Sequence, residues 1–97
     1  AIRGPAPTFL DTRAVAYLIK GGDATEKALQ DLEMALLQRV RPIYLFHLAR
    51  AYDLQNPPKR VESERRFKEA TELGLTPADV HTLELPTYQQ YVQQVPK

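Results

Sequence analysis

The residues of this chain that could do chemistry are few and widely spaced. Histidine, the usual acid–base residue near neutral pH, occurs only at His47 and His81. His47 follows Phe46 in an apolar stretch, a setting more typical of a packed or surface side chain than of a catalyst. His81 lies beside Asp79 and close to Glu84, which could form a weak metal or acid–base site, although helix capping and solvation explain these residues more simply. Neither histidine predicts a catalytic centre.

Basic residues cluster in the middle of the chain, where they could contact phosphates. Glutamates are interleaved with them at helical spacing, which favours ion pairs on a solvated helix face over nucleic-acid binding. The basic residues are Arg39, Arg41, Lys59, Arg60, Arg65, Arg66 and Lys68, and the glutamates are Glu62, Glu64, Glu69 and Glu72. With 13 Lys+Arg against 12 Asp+Glu, the net charge of +1 does not draw the chain to nucleic acid or to an anionic membrane.

Known catalytic and metal-binding motifs are missing from the sequence. It contains no glycine-rich phosphate loop, no nucleophile elbow, no zinc-ligand spacing and no cysteine. The sequence therefore predicts that the protein is not an enzyme and has no metal or cofactor. Because no apolar run approaches the roughly 18 residues that span a bilayer, we also expect a soluble protein, cytoplasmic by default. The chain begins with Ala1 and not with Met, which suggests a piece excised from a longer protein.

Proline, glycine and the spacing of apolar residues predict the elements that hold these residues. Four helices are expected first. The first runs from Thr8 to near Gly21, and the second lies between the breaker at residues 21–23 and the interruption at residues 40–42. The third runs from about Pro42 to near Leu54, and the fourth carries Val61 to Leu73 and is followed by Gly74. Thr8 is predicted to cap the first helix together with Asp11, and Gly74 to end the fourth helix in a left-handed conformation. A short turn is expected at Thr76 and Pro77, and a last helix is expected from Pro86 onward.

The first four helices form two copies of one unit, at an offset of 35 residues. The matching pairs are Leu10 and Leu45, Ala14 and Ala49, Ala16 and Ala51, Tyr17 and Tyr52, Ala28 and Ser63, Leu32 and Phe67, and Ala35 and Ala70. Repeat units cannot bury their apolar faces alone, so they stack on one another and commonly present a surface to a partner.

This pattern of small residues and tyrosines resembles the tetratricopeptide repeat over residues 8–74, with a longer turn between the paired helices than is usual in that family. The resemblance implies an all-α fold of antiparallel helix hairpins stacked as a right-handed α-α solenoid. Residues 1–7 would be an extended segment, residues 8–41 and 42–74 the two repeats, and residues 75–97 a short turn and a C-terminal capping helix.

The resemblance also implies a non-catalytic protein-interaction module that binds a peptide or a helix on its concave face. By register, eight residues would line this groove: Asp11, Val15, Leu18, Ile19, Phe46, Arg50, Asp53 and Leu54. The clamp of Lys, Asn and Arg that some family members use to hold a C-terminal carboxylate is absent, since its positions carry Asp11, Val15 and Phe46. An apolar or helical partner segment is therefore expected rather than an acidic one.

Other roles remain open from the sequence. The groove residues could instead pack on the N-terminal segment or on a neighbouring repeat. The alternative function is structural self-association as a homodimer or scaffold, because fewer than three repeats make a marginal core that a second copy could cover. A third reading is a substrate-recruiting segment attached to an enzyme elsewhere in a longer chain.

Overall fold

The computed structural model describes residues 4–95, which form five α-helices, two short 3₁₀ turns and no strand. The helices are α1 (Pro7–Lys20), α2 (Ala24–Gln38), α3 (Pro42–Asp53), α4 (Arg60–Glu72) and α5 (Leu85–Gln94). The 3₁₀ turns Pro77–Asp79 and Thr82–Glu84 lie between α4 and α5. The all-α prediction is confirmed. Residues 1–3 and 96–97, at the ends of the expected N-terminal and C-terminal segments, lie outside the described residues.

Prolines mark where three of the helices begin. Pro7, Pro42 and Pro86 lie in the first turn of α1, α3 and α5. The fixed φ of proline suits a helix, and its missing N–H costs no hydrogen bond there because the first N–H groups of a helix have no partner within it. The predicted capping of α1 by Thr8 and Asp11 is wrong. The helix begins before Thr8, at Pro7, and its N-cap residue makes no side-chain hydrogen bond. The carboxylate of Asp11 bonds to His47 of α3 instead.

The end of α4 follows the predicted glycine cap. Gly74 has φ +101°, and its N–H donates to the carbonyl of Thr71 while the N–H of Leu75 donates to the carbonyl of Ala70. This pair of bonds satisfies the last carbonyls of the helix and turns the chain back toward the core. The N–H and hydroxyl of Thr76 then donate to the carboxylate of Asp79, at 2.9 and 3.0 Å. Capping therefore explains Asp79, as the sequence predicts.

The helices pack on their neighbours along the chain. α1 packs on α2, α2 on α3 and α3 on α4, and α1 also contacts α3. Alanines allow these close approaches, because a methyl side chain lets two helix backbones come together. Six alanines at repeat positions are fully buried, namely Ala14, Ala28, Ala35, Ala49, Ala51 and Ala70.

α5 is joined to α3 and α4 by an aromatic cluster. Phe46 and Phe67 face Tyr88 and Tyr91 of α5, with ring centroids 5.1 to 6.2 Å apart and interplanar angles of 54° to 83°. Such tilted and edge-on contacts are favourable for aromatic pairs. The predicted C-terminal helix thus covers an apolar face of α3 and α4, at Phe46 and Phe67.

Within residues 4–95, no helix combines the length and the apolar character that crossing a membrane requires.

The packing at the helix crossings predicts the effect of enlarging a buried alanine. We expect Ala49→Leu to lower the free energy of unfolding by about 1–3 kcal/mol, because the added atoms overfill a fully buried site on α3. Ala16→Leu is the matched control, since Ala16 is exposed on α1. Denaturant titration followed by circular dichroism measures both variants. Equal unfolding free energies for the two would contradict the packing of α3.

Candidate binding site between α1 and α3

Three elements of the fold meet at a buried cluster of charged side chains. α1 contributes Asp11, α3 contributes His47 and Arg50, and the second 3₁₀ turn contributes Glu84. His47 and Arg50 are three residues apart, so they lie on the same face of α3. His47 is 4% exposed and Glu84 is 9% exposed. We call these four residues the charge cluster.

The charge cluster is closely hydrogen bonded. His47 Nδ1 lies 2.6 Å from Asp11 Oδ1, and His47 Nε2 lies 3.0 Å from the carboxylate of Glu84. The guanidinium of Arg50 donates to the same Glu84 carboxylate. Because two cations face two carboxylates, the cluster is electrically balanced when His47 is protonated.

The surroundings of His47 favour its charged form. Burial by itself lowers the pKa of an imidazolium, but the hydrogen bonds to Asp11 and Glu84 outweigh this and raise the pKa of His47 to about 9. Burial also acts to raise the pKa of Glu84, but the hydrogen bond and charge of His47, with help from Arg50, lower it below the ordinary value. At neutral pH His47 therefore donates from both ring nitrogens and lacks the free lone pair that a general base needs.

A second set of polar contacts ties α5 to the end of α3. The hydroxyl of Tyr91 donates to the carboxylate of Asp53, and Arg60 donates to the same carboxylate at 2.7 Å. Burial, reinforced by the bond to Asp53, raises the pKa of Tyr91, so its hydroxyl stays protonated as a donor. Asp53 thus acts in holding the fold together.

Beside the charge cluster lies an open cavity of about 600 Å³, which we call the α1–α3 cavity. Its volume falls within the range of roughly 300–1,000 Å³ that is common for ligand sites. The side chains of Ile19 and Leu83 at this cavity are 77% and 82% exposed. Its lining consists of Asp11, Thr12, Val15, Ile19, Arg50, His81, Leu83 and Glu84. A smaller cavity of about 230 Å³ shares Arg50 and extends toward α5.

Six of the eight residues that the sequence assigned to a groove line one or other of two cavities that share Arg50. Four of them line the α1–α3 cavity: Asp11, Val15, Ile19 and Arg50. Asp53 and Leu54 line the smaller cavity, together with Arg50.

The other two assigned residues, Leu18 and Phe46, are corrected. They are 4% and 0% exposed, so neither can contact a partner on the surface of this fold. Leu18 packs in a core cluster with Leu29 and Leu32 of α2. Phe46 is covered by Tyr88 and Tyr91 of α5. The repeat pattern did not predict this contact, because α5 lies outside the two repeats.

Sequence reasoning did not assign Thr12, His81, Leu83 and Glu84 to this site, although all four line the cavity. Of these, Glu84 differs most from its expected role. Its carboxylate is buried against α3, whereas the sequence suggested capping or solvation. The available signal was its position between Leu83 and Leu85 in an otherwise apolar stretch. His81, by contrast, is exposed, and its Nδ1 accepts a hydrogen bond from the N–H of Leu83 at 3.1 Å, in agreement with the capping interpretation. Across the described residues, no group of three or more His, Cys, Asp or Glu side chains is arranged to hold a metal ion.

Comparison of the chain with protein-family models, with curated proteins and with solved structures gave no match.

The charge cluster predicts a loss of stability at alkaline pH. The pKa of His47 is raised in the folded protein, so its contribution is fully present below its unfolded pKa of 6.5 and is lost as the pH rises through about 9. We expect the free energy of unfolding to fall by on the order of 3 kcal/mol over this range. Denaturant titrations at pH 6, 7.5 and 9.5 measure the change. His47→Gln should remove most of this slope, and an unchanged slope in that variant would contradict the assignment.

The position of Phe46 predicts a large effect on folding. We expect Phe46→Ala to lower the free energy of unfolding by about 3–5 kcal/mol, because it empties the centre of the aromatic cluster. Phe9→Ala is the matched control, since Phe9 is 52% exposed, and it should cost less than about 1 kcal/mol. Thermal melts of both variants test this. A Phe46→Ala protein as stable as the control would place Phe46 outside the core.

Proposed function

We propose that the protein is a non-catalytic protein-interaction module that binds an apolar peptide or helical segment of a partner in the α1–α3 cavity. The observation that carries the proposal is the cavity of about 600 Å³ with Ile19 and Leu83 exposed at its edge. Branched apolar side chains exposed around a concave site are typical of surfaces that bind another molecule.

The charges of the site support an uncharged ligand segment. Asp11 and Glu84 already accept bonds from His47, and Arg50 already donates to Glu84. A charged ligand group buried here would lose its hydration without gaining an unpaired counter-charge, which is unfavourable. An apolar side chain would instead gain contact with Val15, Ile19 and Leu83.

The state of His47 supports a role without catalysis. A general base needs a neutral group within reach of substrate, whereas both nitrogens of His47 are bonded to carboxylates and its pKa is raised to about 9. The charge cluster therefore resembles a structural link between α1, α3 and the second 3₁₀ turn more than an acid–base centre.

The tetratricopeptide-like solenoid is part of this proposal. α1 packs on α2, α2 on α3 and α3 on α4, and α1 also contacts α3, which is the neighbour pattern expected when helix hairpins stack. In such a stack the first helices of successive hairpins lie side by side and form the inner face. The α1–α3 cavity is lined by four side chains of α1, by Arg50 of α3 and by His81, Leu83 and Glu84 of the segment between α4 and α5.

Self-association is the second candidate, and a different surface favours it. Leu37 and Val40 are 88% and 60% exposed at the C-terminal end of α2, beside a cavity of about 320 Å³ between α2, α3 and α4. A second copy packed there would cover this apolar surface. A dimer in sedimentation that Leu37→Glu abolishes would favour this candidate.

The proposed function predicts that an exposed charge in the cavity abolishes binding without unfolding the protein. We expect Ile19→Glu to lose partners that the unaltered protein captures from a lysate of its source organism, because the carboxylate would have to be desolvated at the contact. Val61→Glu is the matched control, since Val61 is 68% exposed on α4 and lies outside the lining of both cavities on this face.

Circular dichroism and thermal melts establish that both variants fold. Capture followed by mass spectrometry, and then calorimetric titration of each candidate, gives the affinities. Loss of the same partners from both variants, or from neither, would contradict binding at this cavity.

A further inference from the structure

Residues 76–84, which we call the strap, connect α4 to α5 and supply one wall of the α1–α3 cavity. Their backbone is held mainly by local bonds: Thr76 to Asp79, Val80 to Pro77, and Glu84 to His81. Only Val80 and Glu84 in the strap are buried, at 7% and 9% exposure. The strap is therefore a locally folded unit with two buried anchors on the rest of the molecule.

The two anchors, Val80 and Glu84, contact different parts of the molecule. Val80 packs in the apolar cluster that contains Leu75 and Tyr88, on the side of α4 and α5. Glu84 bonds to His47 and Arg50 on α3, where the cavity lies. Leu83, the residue next to Glu84, is 82% exposed, so its own burial does little to keep it in place.

We propose that Glu84 is a positioning residue for the α1–α3 cavity: its bonds to His47 and Arg50 hold Leu83 and His81 beside Val15 and Ile19, and without these bonds the cavity loses this wall. The inference rests on the proposed function, because it concerns the same cavity. A ligand that contacts Leu83 binds more tightly when Glu84 is bonded to His47 and Arg50 than when these bonds are broken. Ligand binding and the Glu84 bonds therefore stabilise each other.

An ion pair elsewhere in the molecule, with a buried carboxylate and a partly exposed arginine, provides a control. Arg13 donates to both oxygens of Asp31, at 2.8 and 2.7 Å, and so joins α1 to α2. Asp31 is 8% exposed, comparable with Glu84, and it does not line the α1–α3 cavity. Removing either carboxylate leaves an arginine unpaired and lowers stability, but only Glu84 is expected to affect the cavity.

The experiment compares Glu84→Gln with Asp31→Asn in the full chain, using Nile red, an uncharged apolar dye, as the cavity probe. We expect Glu84→Gln to weaken dye binding by about three- to tenfold, the range expected for losing part of one apolar wall. It should also speed amide hydrogen exchange in residues 82–85. Asp31→Asn should change neither readout, although both variants melt at lower temperature. Arg50→Gln, which removes one of the two Glu84 bonds, serves as a second variant if Glu84→Gln does not fold.

Unchanged exchange in residues 82–85 of the folded Glu84→Gln or Arg50→Gln protein would overturn the positioning role. Equal changes in Asp31→Asn would overturn it too, because they would reflect general destabilisation. The exchange readout does not depend on any partner, whereas the proposed function fails if Ile19→Glu keeps the partners of the unaltered protein or if Val61→Glu loses the same partners. The two failures are therefore distinguishable.

Discussion

Protonated His47, held between the carboxylates of Asp11 and Glu84, connects parts of this chain that are far apart in sequence. Asp11 lies 36 residues before His47 and Glu84 lies 37 residues after it, so the two contacts span most of the sequence. Removing charges from water is expensive, and a buried ion pair adds little net stability compared with well-packed apolar side chains. Breaking the pair is nevertheless costly, because it leaves an uncompensated charge. Alternative placements of the region around Glu84 relative to α3 are therefore disfavoured.

Apolar packing and the charge cluster make different contributions to the fold. Alanines at Ala14, Ala28 and Ala49 let the helices approach, so that α1 packs on α2, α2 on α3 and α3 on α4. The tyrosines of α5 then cover Phe46 of α3 and Phe67 of α4. The burial of apolar surface, which is non-directional, thus holds α5 against α3 and α4. The directional hydrogen bonds at Asp53 and Glu84 determine the orientation of α5.

The helices could be predicted from sequence because their signals are local. Pro42 and Gly74 act on their own backbone, and the spacing of apolar residues reports one helix face at a time. The placement of Phe46 and Glu84 could not be predicted in this way. Phe46 is buried because α5 returns to cover it, and Glu84 is buried because α3 presents a histidine and an arginine to it. Both contacts depend on the route of the chain after residue 74, where the repeat register ends. Thr8 is not the cap because α1 begins before it, at Pro7, and the carboxylate of Asp11 bonds to His47.

The balance of charge beside the α1–α3 cavity has a consequence for how association there would respond to its surroundings. Since the cations and anions of the cluster compensate one another within a few ångströms, the field that reaches an approaching molecule is weak and short in range. Encounter at this face would be governed by diffusion and would change little with ionic strength. The contact itself would remove apolar surface from water and would carry a negative change in heat capacity. Temperature, more than salt, would then set how much of the complex is present.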